Sequence, residues 1–218
     1  MNKKELREWA KGVRAGIADE QREIDAIKLK NNVIARLNDS SIRVIHNGGM
    51  DYTDKPCNDG DLVIGTYYPI GTEIIPPFIA TPSKDRGHAI DPIGSLSSTG
   101  MRTCLPVIRN KTTLEFYAWS IGDPLVKRDF DIPIPDTRNL SPVTPNIILL
   151  PLLLCDTYGS RIGYGAGHYD RYIASCEIKP LLIGVCFDEQ VYDGDIPSEP
   201  HDVPLDLIVT PKHTIQIT

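Results

Sequence analysis

Three glycines at alternate positions, Gly163, Gly165 and Gly167, run straight into a segment of helical character, His168 to Ser175, charged at Asp170 and Arg171. A glycine-rich loop that opens a helix is a device for holding an anion. Glycine admits left-handed backbone and close approach of a ligand, and the free amides and dipole of a helix start favour phosphate. Arg161 and Arg171 flank the loop, and guanidinium groups pair well with phosphate oxygens. The familiar phosphate fingerprints do not fit. A GxGxxG pattern needs a glycine where His168 stands, and a GxxxxGK pattern needs a lysine that is absent. On glycine spacing alone, a tight connection and a phosphate site are both open.

The elements that would position this loop are legible around it. Ile147 to Leu150 is an apolar run suited to a strand buried on both faces. Pro151 ends it, since proline has no N–H for a sheet ladder, and Asp156-Thr157-Tyr158-Gly159 reads as a turn. Leu181 to Phe187 reads as another buried strand and Leu207 to Thr210 as a short last one. Upstream, a core strand over Leu62 to Tyr68 leads to Glu73. A carboxylate just past a strand end suits a ligand in an open α/β sheet, although most loop glutamates are solvated. Thr103 to Ile108 and Thr113 to Trp119 predict a hairpin turning at 110–112. In its second strand Leu114, Phe116 and Ala118 alternate with Glu115, Tyr117 and Trp119, which predicts one solvated face.

At the amino-terminal end, Leu6, Trp9, Ala10, Val13 and Ile17 have helical spacing. Lys3, Lys4, Arg7, Lys11 and Arg14 make the other face basic, either as a solvated surface or as cations for a polyanionic ligand. Asp19 is expected to cap a second helix reaching about Leu37, with Ile24, Ile27, Ile34 and Leu37 on one face. A strand is expected over Ile42 to Ile45, ended by His46-Asn47-Gly48-Gly49. Asp123 to Pro145, rich in proline, reads as a long surface connection.

Composition narrows the function classes. The 218 residues are 41% hydrophobic and 24% charged, as in an ordinary soluble globule. A formal net charge of -6 argues against nucleic-acid binding through phosphate contacts. Five cysteines without a C-x-x-C fit neither a disulfide framework nor a zinc site, and point to a reducing cytoplasm. The charged start lacks an apolar signal core, and no apolar stretch is long enough to cross a bilayer.

The string P-x4-D-x2-G-x-R-I-G-x-G-x-G-x-Y-D-R resembles the signature of the 5-formyltetrahydrofolate cyclo-ligase family, also called methenyltetrahydrofolate synthetase. It is carried by Pro151, Asp156, Gly159, Arg161, Gly163, Gly165, Gly167, Tyr169, Asp170 and Arg171. Further pieces occur in order along the chain: K-x-x-L-R at Lys3 to Arg7, Tyr68 with Glu73, the two hairpin strands, the H-D-x-P loop at His201 to Pro204, and Asp206 to Thr210. The resemblance implies one Rossmann-like α/β domain over residues 1–218, its mainly parallel sheet flanked by helices. It implies ATP-dependent cyclisation of 5-formyltetrahydrofolate to 5,10-methenyltetrahydrofolate. ATP would contact Lys3, Arg7, Arg161, Gly163, Tyr164, Gly165, Ala166, Gly167 and Asp170, with Arg161 and Asp170 catalytic. Tyr68, Glu73 and His168 would face the reduced folate, Tyr169 would pack under the loop, and Asp170 with Asp206 would hold Mg²⁺. The implied partners are small molecules, with no nucleic acid and no membrane, for a cytoplasmic monomer or weak homodimer.

The chain departs from the family pattern at Asn146, Cys155, Ala166 and His168, where an acidic residue, an aromatic, the usual residue at the middle of the glycine loop and a tyrosine are expected. Two other readings stay open: a divergent member that binds nucleotide or folate without this turnover, and a different Rossmann-like enzyme, such as a sugar-phosphate isomerase or acyl-transfer relative.

Overall fold

The computed structural model describes residues 1–39, 62–79, 101–127 and 132–217. The strand expected over Ile42 to Ile45 and the turn after it lie outside these residues.

Helix α1, Lys3–Ala15, starts at a reciprocal cap: Asn2 accepts from the amides of Lys4 and Glu5, and the Glu5 carboxylate accepts from the Asn2 amide. Its buried stripe is Leu6, Ala10 and Arg14. Trp9, expected on the apolar side, is exposed and meets Tyr192 edge-on. Helix α2, Asp19–Leu37, comes next. Its cap is Ala18, with no side-chain bond, so Asp19 is a first-turn acid facing the helix dipole rather than the cap. The buried stripe is Asp25, Leu29, Val33 and Leu37, and Ile24 and Ile27 are exposed. Ile24 and Leu37 stand about 140° apart around a 3.6-residue helix, so they cannot share one face.

The strands, in chain order, are β1 Leu62–Gly65, β2 Met101–Ile108, β3 Leu114–Ala118, β4 Leu125–Lys127, β5 Pro133–Pro135, β6 Pro142–Val143, β7 Ile147–Pro151, β8 Leu154–Asp156 and β9 Arg161–Ile162. Helix α3, His168–Ser175, then precedes β10 Leu181–Val185, β11 Val191–Tyr192, β12 Leu207–Val209 and β13 Thr214–Gln216. The main sheet has the order β13-β12-β10-β7-β1-β2-β3-β6. Its interior pairs, from β12 through to β2, are all parallel, and antiparallel pairs close both edges. This is the mainly parallel α/β sheet expected from the sequence.

Alternation along β7 sorts the core. Ile147 and Leu149 join Leu29 and Val33 of α2 on one face, while Ile148 and Leu150 join Ile173 of α3 on the other. A small sheet, β11-β8-β9, lies beside the main one, and Leu6 and Ala10 of α1 pack on it against Leu153, Leu154 and Ile162.

The face of β3 expected to be solvated is covered. Trp119, just past its end, packs with Ile79 and Leu105, and Tyr117 packs with Val107 and Ile134. The cover comes from the stretch read as a surface connection, which forms the β4–β5 hairpin and then β6. Short, proline-rich strands carry too few residues to show a period.

On the sheet face shared by β1 and β3, with β2 between them, Gly65 leaves no room for a side chain: a Cβ there would lie 2.8 Å from Cε1 of the buried Phe116 ring. Gly65→Ala should destabilise the fold by about 1–3 kcal/mol through overpacking. Urea unfolding should show a lower midpoint with an unchanged slope, and an unchanged midpoint would refute the packing argument.

Candidate functional site

The glycine loop is shaped before it is reached. Asp156 is buried, and its carboxylate accepts from the amides of Tyr158 (3.0 Å), Ser160 (2.9 Å) and Ile196 (3.0 Å). These bonds close the turn that sends the chain into β9 and tether the 196 segment beside it. Gly165 then takes a left-handed backbone (φ +98), and a Cβ there would come within 3.3 Å of the Arg7 guanidinium. Arg7 itself donates through Nε to the Gly163 carbonyl at 2.9 Å. At the start of α3 the cap is Gly167, without a side-chain bond, so no side chain competes for the first amides of the helix.

Arg171 does not stand free as a phosphate ligand. It donates to the carbonyls of Ala166 (2.8 Å), Lys111 (3.1 Å) and Thr112 (3.2 Å), joining the loop to the β2–β3 turn. His168 lies against the same turn, with Nε2 3.4 Å from the Asn110 carbonyl oxygen.

A cavity of about 480 Å³ opens beside the loop, lined by Gly165, Ala166, Gly167, Asp170, Arg171, Lys179, His201 and Asp202 among others. Asp170 pairs with Arg161 at 2.6 Å, not with its neighbour Arg171, and also accepts from the Val203 amide at 3.2 Å. Arg161 in turn donates to the Val203 carbonyl. On the α1 side, Lys3 bonds to Asp202 (2.5 Å) and Glu199 (2.9 Å). Burial alone would push the Lys3 ammonium down and the Asp202 carboxyl up. Their bonds outweigh it, so the lysine sits above its ordinary value and the aspartate below.

Lys3, Arg7, the glycines, Arg161 and Asp170 are thus gathered by α1, β9 and α3 around one place. Asp206 does not join them. It precedes β12, and its carboxylate accepts from the Leu182 amide (2.7 Å) near the start of β10, so it is tied to the edge where these parallel strands begin. It does not line the cavity that Asp170 lines.

The residues expected to face a second substrate come from the segment after β1. Glu73 is buried rather than solvated. Its carboxylate accepts from the Ile70 amide at 2.8 Å and stands 3.9 Å from Nη1 of Arg14. Burial pushes its pKa up, and the Ile70 amide, Arg14 and Tyr164 offset only part of that. Tyr68 is partly buried against Ile79, Leu105 and Trp119. Tyr169, expected under the loop, packs against the sheet core, its ring centroid 6.5 Å from that of Phe116.

Arg14, read from the sequence as part of a basic face, is 5% exposed and bonds to both Thr72 and Tyr164. The signal that it turns inward is its four-residue spacing from Leu6 and Ala10, which places it on their stripe.

Residues 86–211 match the 5-formyltetrahydrofolate cyclo-ligase family. A 5-formyltetrahydrofolate cyclo-ligase from Mycolicibacterium smegmatis is 34% identical over 131 residues, which cover 56% of this chain and 66% of that protein. Its counterpart from Escherichia coli K12 is 32% identical over 126 residues, 55% of this chain and 69% of the relative. The chain therefore spans about two thirds of the length of these curated relatives. The solved structure of a 5,10-methenyltetrahydrofolate synthetase from Mycoplasma pneumoniae superposes with a TM-score of 0.67, covering 97% of this chain and 99% of that one. At 20% identity this likeness speaks to the fold.

The Glu73 environment has a measurable consequence. Its folded pKa is raised, so just above the ordinary glutamate value the folded state holds a proton that the unfolded chain has released. Stability from this group therefore falls as pH rises through that window. Glu73→Gln should lose this fall in the range above the ordinary glutamate value of about 4.3, read as urea midpoints across a pH series. Identical pH slopes for variant and wild type would contradict it.

Proposed function

Because the chain belongs to the 5-formyltetrahydrofolate cyclo-ligase family, we propose that it closes 5-formyltetrahydrofolate to 5,10-methenyltetrahydrofolate with ATP, releasing ADP and phosphate. The observation that carries this reading is a cavity lined by Gly165 to Gly167, the uncapped start of α3 and Asp170, with Arg7 bonded to the loop and Arg161 to Asp170 behind that lining. The buried Glu73 meets Tyr164 of the same loop, and a second substrate's polar anchor there would lie beside the nucleotide.

A formamide oxygen is a poor leaving group. Transfer of the γ-phosphoryl group of ATP to that oxygen makes an iminium phosphate and releases ADP. N10 of the folate attacks the formyl carbon and gives up its proton, the carbon–oxygen bond breaks, and inorganic phosphate leaves. The protein's part is positioning and charge stabilisation. Backbone amides of Gly163 to Gly167 cradle the phosphates, Arg7 and Lys3 border them, and Arg161 stabilises charge on the group in transfer. Tyr68, Glu73 and His168 orient the folate.

Mg²⁺ belongs to the same reading. Asp170 fits a hard, oxygen-preferring cation: it lines the cavity, and among the described residues both of its hydrogen bonds fall on Oδ1. Asp170 and water would hold the ion, which when bound neutralises phosphate charge. Asp206, engaged with Leu182, is left outside this set. The described cysteines are free, in keeping with a reducing, cytoplasmic setting. No helix among the described residues is long and apolar enough to cross a membrane.

An absorbance assay for methenyltetrahydrofolate, run with and without ATP, tests the reaction; product should form only with the nucleotide. Arg161→Ala should weaken ATP by about 1.5–3 kcal/mol, and Gly165→Val should block the loop by both its φ and its contact with Arg7. Unchanged ATP affinity in folded Arg161→Ala would defeat the phosphate assignment. A wild type that binds both substrates without forming product would move the chain to the non-turnover reading.

A further inference from the structure

Arg14 makes more connections across the site than anchoring a helix to a loop requires. Its Nε donates to Thr72 Oγ1 at 3.0 Å, and Nη2 donates to the Tyr164 hydroxyl at 2.5 Å. Arg22 braces the same corner by donating to the carbonyls of Thr72 (3.0 Å) and Arg14 (2.7 Å). Nη1 is buried and has no hydrogen-bond partner among the described residues. The nearest carboxylate oxygen, on Glu73, is 3.9 Å away, beyond hydrogen-bond reach.

A buried guanidinium with an unmet donor is costly. Neutral hydroxyls cannot balance its charge, and an unsatisfied buried donor bears its full desolvation penalty. Such a group persists where an acceptor arrives with a ligand. The unmet donor here stands 3.9 Å from Glu73, whose carboxylate also meets Tyr164. Tyr164 belongs to the glycine loop and is half exposed, so its position is held by polar contacts rather than by burial: this bond, the guanidinium 5.6 Å from its ring centroid, and the Glu73 carboxylate.

We propose that Arg14 is a positioning residue that couples the two substrates: Nη1 donates to an oxygen of the reduced folate beside Glu73, while Nη2 holds Tyr164 and with it the nucleotide loop. This rests on the reaction proposed above. Filling Nη1 fixes the guanidinium plane, and that plane fixes Tyr164, so each substrate should tighten the other by the same factor.

Calorimetry with 5-formyltetrahydrofolate and a non-hydrolysable ATP analogue tests this without turnover. In the wild type each ligand should tighten the other. Arg14→Lys keeps the charge but loses the planar fork. Folate affinity should fall about tenfold or more, analogue affinity without folate should stay within about twofold, and the coupling should vanish. Tyr164→Phe, at a half-exposed position, should lose the coupling. The proposal is overturned if the wild type shows no coupling, if Tyr164→Phe retains it, or if folded Arg14→Lys binds folate as tightly as wild type. Turnover measured alongside separates the two ideas. Product formation with unaltered coupling in Tyr164→Phe removes the role of Arg14 and keeps the reaction, whereas coupled binding without product does the reverse.

Discussion

A strand buried on both faces has no place for a polar side chain, and β7 is such a strand. Ile147, Ile148, Leu149 and Leu150 are all within the core, between parallel neighbours β1 and β10. Each such side chain contributes about 1.5–3 kcal/mol by leaving water, so the sheet is anchored there and chemistry is displaced to the segment beyond the strand. The chain leaves β7 at Pro151, and the next twenty residues carry Asp156, Arg161, the glycine loop and Asp170. The site is polar because the strand that delivers it is not.

The arginines around the loop show how a flexible, glycine-rich segment can still be ordered. Arg7, Arg161 and Arg171 each donate to a main-chain carbonyl, at Gly163, at Val203 and at Ala166 with the hairpin turn. Engaging these oxygens satisfies backbone acceptors that an irregular segment does not pair by itself. Guanidinium groups suit this because one planar fork serves several partners at once. The loop is thereby ordered by side chains from α1, β9 and α3 rather than by packing of its own.

What was legible in the sequence was local. The turn at Asp156, the glycine loop and α3 arise from residues within a few positions of one another, and α3 spans the residues expected of it. What was not legible depends on partners distant in sequence. Tyr117 and Trp119 alternate like side chains on a wet face, yet a hairpin ten residues away covers them. On α2 four isoleucine and leucine positions suggested a face, while the true stripe admits Asp25, which accepts from Gln21 at 2.8 Å and so tolerates burial. Arg14 reads as one more surface cation until Thr72, Tyr164 and Glu73 are placed around it. Asp206 matches a metal-site pattern in type but is tied to a strand edge by a bond that no spacing rule reveals.

The docking of α1 bears on how the molecule is made. The helix caps itself locally, but its apolar stripe rests on Leu153, Leu154, Ile162 and Ile196, and Lys3 reaches residues 199 and 202. Chains are synthesised from the amino end, so α1 leaves the ribosome well before the segments on which it settles. Contacts of such sequence separation close large loops and form late. Arg7 meets the glycine loop only on that docking, so its bond to the Gly163 carbonyl should form late in folding and not in a fragment that lacks residues 196–202.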